Sequence, residues 1–162
     1  MATPFLKVYD AFLARITADE WTLEEELAIV ERDWQELLKM AVARFKYPRV
    51  KLEIEQVDDS ENDMPQQLHV YQFVDDLTND EIQILALLMK HEWIKRCIAS
   101  WEEIRYLYAD KDFSQANHLD KLLKLQDTVK IEIQDAIDDY DKSRGKTPAA
   151  TFRKLAGKKK YL

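Results

Sequence analysis

The residues in this chain that could do chemistry are few, and each lacks the partner its chemistry requires. His91 and Glu92 adjoin within KHEWIK, the opening of a helical zinc-protease motif, but the second histidine that motif needs one turn later is Lys95. His91 therefore reads as a surface or cap-satisfied histidine. His69 and His118 have no second ligand nearby in sequence, so no metal site is expected. Cys97 is the single cysteine. Lys95 and Arg96 could lower its pKa but point to other helix faces, and a small core side chain is the default role for such a thiol.

Two charged segments remain. Asp58, Asp59, Glu61, Asn62 and Asp63 resemble a calcium loop but lack the glycine at its sixth position and the glutamate at its twelfth. They read as a solvated loop that could form a contact between subunits. The chain has only two glycines, too few for a phosphate-cradling loop. From Lys142 onward there are eight Lys or Arg and no acid, so residues 1–141 hold 16 basic against 31 acidic residues and carry −15 of a total of −7. Within that basic end, Phe152, Leu155, Tyr161 and Leu162 interleave with Arg153, Lys154, Lys158, Lys159 and Lys160. Three readings stay open: a solubilising end, a peptide that orders on a protein partner, and a phosphate-binding arm. No nucleophile–base pair or ligand cluster emerges, and an enzyme is not expected.

The elements that must position these residues are helical. With 162 residues, 46% hydrophobic and 10% aromatic, the chain can bury one core, and its low glycine and proline content argues against a β sandwich. A lone cysteine fits a reducing compartment. The start of the chain is broken by charge, unlike a secretory signal, and no stretch approaches the roughly 18 apolar residues of a membrane span.

Phe5, Val8, Tyr9, Phe12, Leu13 and Ile16 form one helical stripe over 4–16, with Pro4 suited to the first turn. Thr22 and Glu25 read as a capping box opening a second helix, which must stop before Tyr47 because Pro48 follows. The period then changes to two. Val50, Leu52 and Ile54, and later Leu68 and Val70, predict two short strands of a hairpin at about 49–73, joined by the acidic loop. Thr78 with Glu81, flanked by Leu77 and Ile82, predicts a capped and stapled helix running to about Tyr108. Its buried face is read as Ile82, Leu85, Met89, Trp93, Cys97, Trp101 and Ile104. A last helix, capped by Ser114, carries Leu119, Leu122, Leu123, Gln126, Val129, Ile133, Ile137 and Tyr140, and ends at Gly145. The expectation is an all-α fold of about four helices, two of them long, with a small hairpin insertion. Residues 1–145 form the domain and 146–162 an extended basic tail.

The segments FLKVYDAFLARIT, FKYPRV, DLTNDEIQILALLMKHEWIKRCIASWEEIRYLY and FSQANHLDKLL together resemble head-to-tail connector (adaptor, or neck) proteins of tailed bacteriophages. The likeness covers about residues 5–125, in order and with similar spacing; the SQANHL segment with the preceding EWI helix is its most specific part. The tail after Lys142 is not matched. The resemblance implies a structural protein of the virion, assembled in the bacterial cytoplasm. It would form a ring, typically dodecameric, beneath the portal protein and insert its carboxyl-terminal segment into or between portal subunits. Its partners would be the portal, neighbouring copies of itself and a downstream neck or tail protein. Genomic DNA would pass through the channel without specific binding, and no catalysis, cofactor or membrane is involved. The alternatives are another neck protein such as a tail terminator, or a nucleic-acid-binding packaging factor that uses the basic tail.

Overall fold

The computed structural model describes residues 2–16, 27–57, 71–107 and 113–145. Its elements in chain order are β1 (Thr3–Pro4), α1 (Phe5–Leu13), α2 (Leu27–Arg44), β2 (Ile54–Gln56), β3 (Tyr71–Phe73), α3 (Asn79–Leu107) and α4 (Phe113–Ser143). The fold is mainly helical with a small antiparallel sheet, as the periodicity predicts.

α3 is the axis of the molecule. Its 29 residues extend for about 43 Å at 1.5 Å each, and α1, α2 and α4 all pack against it. The expected single apolar stripe is too narrow a description. All six residues from Ile84 to Met89 are buried, because neighbours cover the helix on several sides. Farther along, Trp93, Cys97 and Trp101 are only half-buried, so Cys97 does not lie on a fully covered face.

One large cluster joins Phe5, Val8, Tyr9 and Phe12 of α1 to Leu37, Leu38 and Ala41 of α2 and to the first half of α3. Ile94, Ile98 and Val129 make a smaller cluster where α4 crosses the second half of α3. Ion pairs brace the outside: Arg96 of α3 reaches Asp33 and, at 3.3 Å, Glu36 of α2.

The sheet departs from the expected hairpin in two ways. Its order is β1-β3-β2, with Thr3 opposite Phe73 and Ile54 opposite Phe73 from the other side. The central strand β3 thus needs a third strand, supplied by the residues before α1. Pro4 is accordingly the extended residue at the N-cap of α1 and not part of its first turn. This extra strand supports a pair that would be marginal alone. The β2 ladder also begins at Ile54, where the alternating run was expected to end. Val50 and Leu52 pack on the core without pairing, so their period of two reflects burial of one side and not a ladder.

Helix ends follow local chemistry more closely. α2 stops at Arg44, ahead of Pro48. The Thr78–Glu81 capping box forms as expected: Thr78 N–H donates to Glu81 Oε2 at 2.8 Å and Glu81 N–H to Thr78 Oγ1 at 3.3 Å. Ser114 falls inside α4 and does not precede it. α4 ends at Gly145, whose φ of +71° is the left-handed conformation that favours glycine, and whose N–H donates to Lys142 O.

Candidate functional site

The groups expected from sequence to make contacts fall largely outside the described residues. Asp58, Asp59, Glu61 and Asp63 do, as do the tail residues Phe152, Arg153, Lys154, Leu155, Lys158, Lys159, Lys160, Tyr161 and Leu162, together with His69 and the Thr22–Glu25 capping pair. His118 is exposed on α4, with its ring edge-on to Trp101 at 5.3 Å. Among the described residues no group of three or more His, Cys, Asp or Glu side chains could hold a metal ion.

Two buried polar centres do form, and the first is built on Glu81. This carboxylate is fully buried and does more than cap α3. It accepts the Tyr140 hydroxyl of α4 at 2.6 Å and the Arg49 backbone N–H at 2.9 Å, besides the Thr78 N–H and hydroxyl. Arg49 also donates its side chain to Asp76 O at 2.8 Å. One side chain thus fastens the end of α4 and the loop after α2 to the start of α3. Burial alone would push the Glu81 pKa up. The hydrogen bonds from Tyr140, Thr78 and Arg49 outweigh it and hold the carboxyl below its ordinary value. Tyr140 is pushed the other way, up to about 12, by burial and by the carboxylate it serves.

The second centre corrects the reading of His91 as a surface residue. The ring is 6% exposed, covered because its position on α3 lies beneath both α2 and α4. Its Nδ1 stands 3.4 Å from Glu92 Oε1, and Glu92, itself buried, is paired with Arg44 at 2.5 Å and Lys95 at 3.2 Å. An ionised carboxylate only accepts, so Nδ1 carries the proton and Nε2 presents a lone pair. That Nε2 has no hydrogen-bond partner among the described residues.

Burial lowers the His91 pKa, and Arg44 and Lys95 add to this against the opposing pull of Glu92. The unfolded chain therefore takes up the proton more readily than the folded one. The stability contribution is complete above the ordinary histidine value of 6.5 and is lost as pH falls from there through the depressed folded value. Urea unfolding across this range should show stability falling with acidity, and His91→Gln should flatten that slope.

Between these centres lies a groove of about 770 Å³, walled by the end of α2 and the second half of α4. Phe45, Leu88, Ile133, Ile137 and Tyr140 give it an apolar surface, and Arg44, Lys46, His91, Lys130, Asp138 and Asp141 are among its polar lining. Asp141 Oδ1 is buried and, like His91 Nε2, has no partner among the described residues. Two of its lining residues are joined by Arg144, which donates to Tyr47 O at 3.0 Å with its guanidinium 5.1 Å from the Tyr140 ring centre.

Neither centre was legible as a site. The capping box identifies Glu81, and the stripe identifies Tyr140, but they are 59 residues apart and nothing local connects them. A scan against protein-family models found no match, and searches of curated proteins and of solved structures found no similar chain.

Proposed function

We propose that this protein is a structural head–tail connector of a tailed bacteriophage, forming a ring beneath the portal that extends the DNA channel and joins capsid to tail. The observation that carries the reading is the division of charge along the chain, −15 over residues 1–141 against eight Lys or Arg and no acid from Lys142 onward. The described body ends at Gly145, after a helix whose exposed residues include Asp120, Asp127, Glu132, Asp135 and Asp139 beside Lys121, Lys124 and Lys130. The long α3, pinned on both sides, suits a wall element that must keep its shape within a ring. The acidic surface suits a channel along which DNA slides, since like charge avoids adhesion through phosphate contacts. A basic, aromatic-bearing segment at one end suits insertion into a neighbouring ring, where repeated copies multiply a modest affinity. The resemblance of residues 5–125 to connector proteins points the same way.

The test is to mix the purified protein with the portal protein of the same genome and image the mixture by electron microscopy. A second ring stacked on the portal with matching rotational symmetry is the expected result. Bare portals beside free protein would reject it, and would shift the assignment to a lower neck or tail position such as a tail terminator. A packaging factor acting through the basic segment would instead bind DNA with an affinity falling steeply as salt is raised.

A further inference from the structure

Glu92 carries three partners, and two of them share an oxygen. Arg44 of α2 pairs with Glu92 Oε1 at 2.5 Å, and His91 Nδ1 stands 3.4 Å from the same atom. Lys95 takes the other oxygen, Oε2, at 3.2 Å. While His91 is neutral, the Arg44 pair ties the end of α2 to the middle of α3. That end has two further holds, the Phe45 ring against Tyr140 at 5.8 Å and the Arg144 bond to Tyr47 O. Upstream, Arg96 of α3 keeps Asp33 and Glu36 of the same helix.

A proton on His91 changes this balance. The ring is buried and Glu92 is 4% exposed, so the new charge meets little water to screen it. It strengthens the Nδ1–H bond to Oε1, the oxygen that Arg44 uses. The other groups around the ring do not absorb the charge. Arg44 and Lys46 come from α2, Glu92 and Lys95 from α3, and Lys130, Asp138, Asp141 and the Tyr140 hydroxyl from α4. Lys130 is paired off with Asp127 at 3.0 Å, and Asp138 accepts Gln134 at 2.8 Å. Tyr140, its pKa pushed up to about 12, stays neutral. Among the described residues only the Glu92 carboxylate is within hydrogen-bond reach of the ring. The imidazolium therefore competes with Arg44 for a single anion.

We propose that His91 and Glu92 form an acid-released clamp on the end of α2: the protonated ring draws Glu92 Oε1 away from Arg44, and residues 41–47 lift from the groove while α1 and the first half of α3 stay packed. The Arg96 pairs confine the release to the last turn of the helix. The depressed pKa of His91 expresses the same coupling, since a clamp that resists the proton is opened by it. The device is independent of the connector assignment.

Amide hydrogen exchange at about pH 7.5 and about pH 5, corrected for the intrinsic pH dependence and repeated in low urea, tests it. Protection at 41–47 should fall at least about threefold on acidification, through openings that low urea does not affect. Amides at 84–89 should exchange only through openings that urea promotes. His91→Gln should hold 41–47 at the neutral level at both values. No acid loss at 41–47, or an equal loss in His91→Gln, would overturn the proposal. So would a loss with the urea dependence of 84–89, because the whole domain would then be opening. Arg44→Leu gives an independent check that leaves the histidine in place. It should make 41–47 as loose at neutral pH as the wild type is in acid, and wild-type protection there would also reject the clamp.

Discussion

Glu81→Ala is expected to destabilise the protein by about 3–5 kcal/mol, because it removes a buried anion that several donors converge on. The Tyr140 hydroxyl, the Thr78 N–H and the Thr78 hydroxyl all lose their acceptor. Arg49 N–H keeps one, since it also donates to Tyr140 Oη at 2.8 Å, so the loss falls short of the sum of four charge-assisted bonds. For a chain of this length that energy corresponds to a fall in melting temperature of about 10 °C, measurable by calorimetry. Glu81→Gln keeps an acceptor of the same size and should lose less. A loss under about 1 kcal/mol for the alanine variant would mean that water replaces the carboxylate without penalty.

The same residue sets an acid limit. Its folded pKa lies below the ordinary value of 4.5, so its contribution is complete above that value and declines as pH falls through the folded one. Glu81→Gln should remove that decline while leaving the histidine-dependent loss at milder acidity in place. The two contributions start to fall from different ordinary values, 6.5 for His91 and 4.5 for Glu81, and the two glutamine variants separate them.

Removing residues 146–162 is expected to leave the body folded and to abolish attachment to the portal. Both buried clusters are built from residues between Phe5 and Tyr140, and α4 is terminated by Gly145 within the retained chain. The truncated protein should therefore melt cooperatively with unchanged helical content. Attachment is different in kind under the connector proposal, because a ring would engage through many equal contacts at once. A modest affinity lost from every copy compounds, so a fall in apparent affinity of at least about a hundredfold is expected in co-sedimentation with portal rings. Full attachment by the truncated protein would sink the role given to the segment. Charge substitution at Lys158, Lys159 and Lys160 alone should weaken attachment by a smaller factor that grows at low salt.

How much of this could be seen beforehand varies element by element. The capping box at Thr78 and Glu81, the stop before Pro48 and the stop at Gly145 depend on side chains within four residues of the helix end. They were read correctly because the interaction itself is local. Val50 and Leu52 misled because alternation records which side is buried and not whether a neighbouring strand is present to pair. His91 misled because a polar residue on a helix carries no mark of what will be packed above it.

The sequence by itself determined the four helices, most of their ends and the separation of an acidic body from a basic segment, because helical period, capping and net charge are properties of neighbouring residues. Tertiary structure alone decided that Thr3–Pro4 would complete the sheet beside β3, that Glu81 would join Tyr140 and Arg49, and that His91 would be buried beneath α2 and α4. Those contacts join positions tens of residues apart. Their energy exists only once α3 has gathered the other elements around it, so no spacing along the chain announces them.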